Sequence, residues 1–275
     1  MRKLVIAVVV LAVAAVAIAI ARGVGPFPEP EGCHAVVQGH QVDVDLGQGR
    51  TATLISAIAV KRGLPARAAS IALATGFQES KLRNLSSGDR DSAGIFQQRP
   101  SQGWGTRAQV MDPYYAINAF YDALHKIHGY REMRITEAAQ LVQRSGYPEA
   151  YEAHAPDARA LASALTGYST GGRFSCVVHD SGGHGSAAPV ARALARAYGV
   201  MDTRPGHGRL VVRLPPGEGG NRLGWSVAQF LVAHAKTLHL HRVQYAHKSW
   251  RIGSASEKGW THASGTGHRV LVTLA

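Results

Sequence analysis

The chain opens on an unbroken apolar run. After Met1-Arg2-Lys3, every position from Leu4 to Ala21 is apolar, eighteen residues without a charge. As a helix this run is about 27 Å long, close to the hydrocarbon thickness of a bilayer. The basic residues before it predict an N-terminus held in the cytoplasm, with the remainder crossing the membrane. Two readings stay open: a retained transmembrane signal anchor over residues 1–22, and a signal peptide cleaved at a small-residue site such as Ala17, Ala19 or Ala21.

Residues 23–49 read as a juxtamembrane linker and lead-in: 23–30 are Gly/Pro-rich, and 38–49, where Val alternates with polar residues, read as a short strand or an irregular lead-in. Helical spacing then dominates. Leu54, Ile55, Ile58 and Ala59 share one face of a helix over 51–62, which Gly63 stops. Pro65 opens a second helix running towards Phe77. Residues 84–105 are loop-like, dense in Gly, Ser, Asp and Pro. Asp112-Pro113 starts a further helix with Ile117, Phe120, Tyr121 and Leu124 on one face. Others are expected from Thr136 and over 157–165. Residues 50–176 are therefore expected to form a mostly α domain. A Gly/Ser/His-rich linker at 177–187 precedes a smaller α+β unit over 188–275, with helices at 188–198 and from Gly224 to about Leu238. Its expected strands are 209–214, 243–245, 250–252 and 270–274.

Charge sharpens this division. The chain of 275 residues carries 30 Lys+Arg against 18 Asp+Glu, a formal net charge of +12. Residues 177–275 hold twelve basic and four acidic side chains, and nine of the fourteen His. A basic surface attracts polyanions. For an exported protein these are wall polymers and lipid head groups, so an anionic cell-wall polymer is the expected partner and nucleic acid is not. Outside the cytoplasm Cys33 and Cys176 can form an internal disulfide; otherwise they are two buried thiols. No HExxH or Cys-x-x-Cys pattern is present, so neither a metal site nor another cofactor is expected. His239-Leu240-His241 would place two imidazoles on one strand face, too few for a metal centre.

The candidate chemistry lies in Ala72-Leu73-Ala74-Thr75-Gly76-Phe77-Gln78-Glu79-Ser80. A carboxyl at the end of an apolar helix has its ionised form disfavoured, which suits a general acid. Asp89 and Asp91 in the following loop are possible second carboxylates, or simply turn residues paired with Arg90 or Arg99. Trp104, between two Gly in this loop, reads either as a ring face lining a groove or as a core side chain.

Three short motifs then occur in order: Ala-Leu-Ala-x-x-x-x-Glu-Ser, Gly94-Ile95-Phe96-Gln97, and Asp112-Pro113 opening a helix with Ile117. Together they resemble the lysozyme-like domain of soluble lytic transglycosylases over roughly residues 50–165. The wording around Gly88-Asp89-Arg90-Asp91-Ser92 and Phe96–Gly105 also looks like membrane-anchored actinobacterial proteins carrying this domain. The resemblance implies a mainly α lysozyme-like domain followed by a smaller α+β domain, preceded by one N-terminal transmembrane helix. It implies cleavage of the MurNAc-GlcNAc bond of peptidoglycan on the extracytoplasmic side of the plasma membrane. Glu79 would be the acid/base, and Ser80, Gln97, Gln98 and Trp104 would lie along the substrate groove. One departure is plain: the family's Ala-Tyr-Asn-Ala-Gly, whose Tyr hydrogen-bonds the acid, corresponds here to Leu141–Gly146, which contains no Tyr. Tyr147 lies outside the motif position, and an Arg144 guanidinium beside Glu79 would lower its pKa. The alternative reading is a peptidoglycan-binding or scaffold protein without turnover.

Overall fold

The first helix begins five residues before the hydrophobic spacing implies, because its start is written in polar residues. Asp45 accepts a hydrogen bond from the Gln48 backbone N–H, and the Gln48 side-chain oxygen accepts one from the Asp45 N–H, a capping box that starts α1 at Leu46–Lys61. The computed structural model describes residues 28–147 and 149–275. The expected membrane helix lies outside the described residues, and no helix among them is long and apolar enough to cross a membrane.

Ahead of α1, the strands β1 (Gly32–Val37) and β2 (His40–Val44) form a hairpin. Its two turn residues, Gln38 and Gly39, both have positive φ, the geometry that matches strand twist. Strand β3 (Phe174–Val177) pairs antiparallel with β1 and closes a three-stranded sheet in the order β2-β1-β3. Cys33 and Cys176 face each other across that pairing and are disulfide-bonded, closing a loop with a sequence separation of 143. Restricting the unfolded chain over such a loop contributes about 5 kcal/mol on the chain-entropy account.

Between β1-β2 and β3 run α1, α2 (Ala66–Ser80), the short α3 (Arg107–Met111), α4 (Pro113–His125), α5 (Ile135–Gln143) and α6 (Ala155–Leu165). Every residue of α2 from Ala68 to Gly76 is buried, so this Ala-rich helix forms the axis around which α1, α4, α5 and α6 pack. The expected face of α4 is observed, with Ile117, Phe120, Tyr121 and Leu124 buried.

The remaining chain forms α7 (Ala187–Tyr198), α8 (Gly217–Ala233) and a six-stranded antiparallel sheet. Its strands are β4 (Asp202–Gly206), β5 (Arg209–Arg213), β6 (Leu240–Tyr245), β7 (Lys248–Arg251), β8 (Thr261–His262) and β9 (Arg269–Leu274), in the order β4-β5-β9-β6-β7-β8. Helix α8 packs on α1 as well as on its own sheet. The buried Gln229 of α8 donates to the Ala164 and Trp225 carbonyls and accepts from the Phe174 N–H at 2.8 Å. The indoles of Trp250 and Trp260 donate to the Cys176 and Phe174 carbonyls. Side chains thus satisfy the free edge of β3, which would otherwise be left unpaired in the interior.

The mainly α class expected for this chain is overturned. The described residues are 45% helical and 19% strand, a mixed α/β composition with two antiparallel sheets, and Glu31–Ala275 forms one compact unit. The physical reason is that short strands escape periodicity. The sequence Gly-Cys-His-Ala-Val-Val becomes strand through pairing with residues about 140 positions away, and Asp202–Gly206 is an exposed edge strand with no apolar alternation.

Candidate functional site

Helix α2 emerges from the core in its last turn, and its end is fixed by buried contacts. Lys81 (φ 53°) and Leu82 (φ 58°) both adopt the left-handed conformation and turn the chain away, with the Leu82 N–H closing on the Gly76 carbonyl at 2.9 Å. Two successive non-glycine residues in that region are strained by about 1–3 kcal/mol each, and burial of the whole Leu82 side chain offsets the cost. Ser80 turns inward, its hydroxyl donating to the Ile95 carbonyl at 2.7 Å. The Glu-Ser pair therefore divides the work: Ser80 ties the helix to the Gly94–Gln97 loop, and Glu79 is left half-buried at the surface.

That loop is equally constrained. Ala93 and Gln98 exchange two backbone hydrogen bonds, and Gly94 (φ 82°) sits where a Cβ would come within 2.3 Å of the Val110 carbonyl. Phe96 is buried and stacks on Phe120 with centroids 4.5 Å apart.

Three side chains converge on this end of the helix. Tyr151, wholly buried, donates its hydroxyl to Glu79 Oε1 at 2.8 Å. The Ser145 hydroxyl hydrogen-bonds Tyr151 in turn. Gln143, the last residue of α5, donates Nε2 to the Phe96 carbonyl at 2.7 Å and also hydrogen-bonds the Glu79 carboxyl. Burial raises the Glu79 pKa above the usual carboxylate range, and the Tyr151 and Gln143 hydrogen bonds offset part of that rise. Burial and the neighbouring carboxylate push the Tyr151 phenol up as well, so it stays protonated and donating.

Among the described residues no guanidinium neutralises the carboxyl. Arg144, expected beside Glu79, instead ends α5 in the left-handed conformation (φ 51°), is exposed, and does not contribute to the Glu79 shift. It points along an adjoining groove of about 900 Å³, lined among others by Trp104, Tyr115, Lys126, Gln143 and Arg144. Gln143 is the side chain common to this groove and the Glu79 cluster. Gly105 (φ 114°) leaves room there for the Tyr115 hydroxyl, which a Cβ would meet at 2.6 Å.

The other expected residues have different surroundings. Gln97 braces its own loop, accepting from the Ser92 hydroxyl and donating to the Gly94 carbonyl. Gln98 is buried and donates to the Ala116 carbonyl. Asp91 is bound by Arg99 Nε at 2.9 Å and by the Ser101 N–H and hydroxyl at 2.7 and 2.9 Å. The Ser101 N–H, with Arg99 next, holds its carboxyl far below the usual range. Asp89 extends into solvent, 92% exposed, with Arg90 at 3.9 Å. His239 (φ 50°) lies before β6 and meets the Ser181 carbonyl, while His241 is exposed on the strand. Among the described residues no group of three or more His, Cys, Asp or Glu is arranged to hold a metal ion.

Sequence reasoning missed Tyr151, Gln143 and Ser145. Tyr151 reaches Glu79 from the loop that follows α5, eight residues after Gln143. A register taken from the helix alone cannot find it. No protein-family model matches the chain, and no curated protein matches it in sequence.

Proposed function

We propose that the protein cleaves the glycan strand of peptidoglycan, at the MurNAc-GlcNAc bond, with Glu79 as its single acid/base. The observation that carries this reading is a half-buried carboxyl with a raised pKa, held by the Tyr151 hydroxyl and the Gln143 amide and without a cationic partner among the described residues. Such a group holds a proton nearer neutral pH than an exposed carboxylate. The two hydrogen bonds stabilise the ion left after the proton has gone. The order of Glu-Ser, Gly-Ile-Phe-Gln and Asp-Pro motifs supports the same chemistry by resemblance.

In this scheme Glu79 protonates the glycosidic oxygen, and the bond's electron pair leaves with that oxygen. The resulting carboxylate then removes the proton from the sugar's own C6 hydroxyl, whose oxygen closes on C1 as a 1,6-anhydro ring. One carboxyl used twice suits a site where Asp91 is committed to Arg99 and Ser101 and Asp89 faces solvent. Trp104 and Tyr115 offer ring faces along the groove, and Gln143 links groove to acid. The Cys33–Cys176 disulfide fits an oxidising, extracytoplasmic setting. Mass spectrometry of muropeptides released from purified peptidoglycan tests the reading: anhydro-terminated fragments are expected, reducing-end fragments would indicate hydrolysis, and no fragments would refute cleavage.

A further inference from the structure

The outer face of the six-stranded sheet carries arginines in register. Helices α7 and α8 pack on the other face, where Leu210, Val212, Val243, Val270 and Val272 are buried. Strand alternation places the intervening residues outward. Arg213 pairs directly opposite Arg269, and Arg242 directly opposite Arg251. Arg209 and Arg242 both pair with Thr273, so Arg209, Thr273, Arg242 and Arg251 form one row across four adjacent strands. At a strand spacing of about 4.8 Å this row spans about 14 Å. Arg204 extends the patch onto β4.

Like charges directly opposite on a sheet destabilise it, and this face holds two such pairs. Asp202 is the one acidic residue in strands β4 to β9; it lies directly opposite Arg213, but its carboxylate is ion-paired with Arg204 at 2.8 Å. Among the described residues no carboxylate lies within ion-pair distance of Arg209, Arg213, Arg242, Arg251 or Arg269. Arg242 and Arg269 make hydrogen bonds only to the Ser249 hydroxyl and the Thr266 carbonyl, neither of which neutralises them.

We infer that this arginine face binds a linear anionic polymer with a phosphodiester backbone, its phosphates lying along the cross-strand row. Guanidinium forks match phosphate oxygens in pairs, which lysine ammonium groups do not. The face lacks the features two other polyanions need. Its centre is Val211 and Leu271, both partly buried, and none of the large apolar side chains exposed among the described residues lies on it to enter a bilayer. Its outward strand positions carry no Phe, Tyr or Trp on which nucleic-acid bases stack, since Tyr245 and Trp250 are buried. The inference is independent of the Glu79 site.

The test is binding of the full chain to poly(glycerol phosphate), with anionic phosphatidylglycerol vesicles and single-stranded oligothymidine as competitors. The double variants Arg213→Gln/Arg269→Gln and Arg242→Gln/Arg251→Gln should each lose tenfold or more in affinity without a lower melting temperature. The equal-charge control Arg131→Gln/Arg192→Gln should lose less than threefold, and wild-type binding should weaken steeply with salt. Equal losses in the control, absence of polymer binding, or tighter binding to vesicles or oligothymidine would each overturn the inference.

Discussion

Tyr151 donates its hydroxyl to Glu79 Oε1 across 2.8 Å, joining residues 72 positions apart in the chain. This bond stabilises the ionised carboxyl, so it opposes the rise that burial imposes. Tyr151→Phe is therefore expected to raise the Glu79 pKa further. The pH dependence of turnover should move to higher pH, and kcat should fall about 10- to 100-fold. The lost hydrogen bond should also lower stability by about 1 kcal/mol. A pH–rate profile of the variant beside a denaturant titration checks both parts.

Asp91 separates a one-carboxyl from a two-carboxyl mechanism. Its oxygens accept from Arg99 and Ser101, and its pKa lies far below the working range, so it titrates nowhere near the activity limb. Asp91→Asn is expected to leave turnover within about threefold of wild type. A loss of 100-fold or more, the scale of a removed general base, would identify it as a catalytic partner. Steady-state assay of the folded variant decides between them.

His234 gives the fold an acid sensitivity. Its ring stacks on Phe230 at 4.0 Å, and Nδ1 donates to the Phe230 carbonyl. Burial lowers its pKa to about 4, against the Phe230 carbonyl bond, which raises it, and with a smaller lowering from Arg50. A histidine whose pKa is depressed in the fold stabilises it fully above the unfolded value of about 6.5, and that contribution is lost as pH falls towards 4. The loss should reach at most about 3 kcal/mol. Denaturation of wild type and His234→Leu between pH 7 and pH 4 is expected to show a shallower decline in the variant.

The sequence made legible what is local. The apolar face of α4 follows from Ile117, Phe120, Tyr121 and Leu124, and the Asp112-Pro113 start is a cap that the structure contains. Glu79 was visible as a carboxyl ending an apolar helix. What long-range pairing decides was not legible. The three-stranded sheet exists because β1 meets β3 across the disulfide. The arginine row exists because β9 inserts between β5 and β6. Tyr151 reaches Glu79 from a loop, where no periodicity announces it, and the cationic neighbour expected at Arg144 is carried outward by a left-handed helix end.

The central claim is that the Glu79 carboxyl moves the proton in glycan cleavage. Burial favours its protonated form, so ionisation works against the fold, and that cost grows as pH rises through the shifted pKa. Glu79→Gln keeps the shape and removes the charge. At pH 7 to 8 it should melt no lower than wild type and bind peptidoglycan equally well, yet release at least 1,000-fold fewer anhydro-muropeptides, on the order expected when an acid/base is removed. Undiminished release of those fragments by the folded variant would contradict the account.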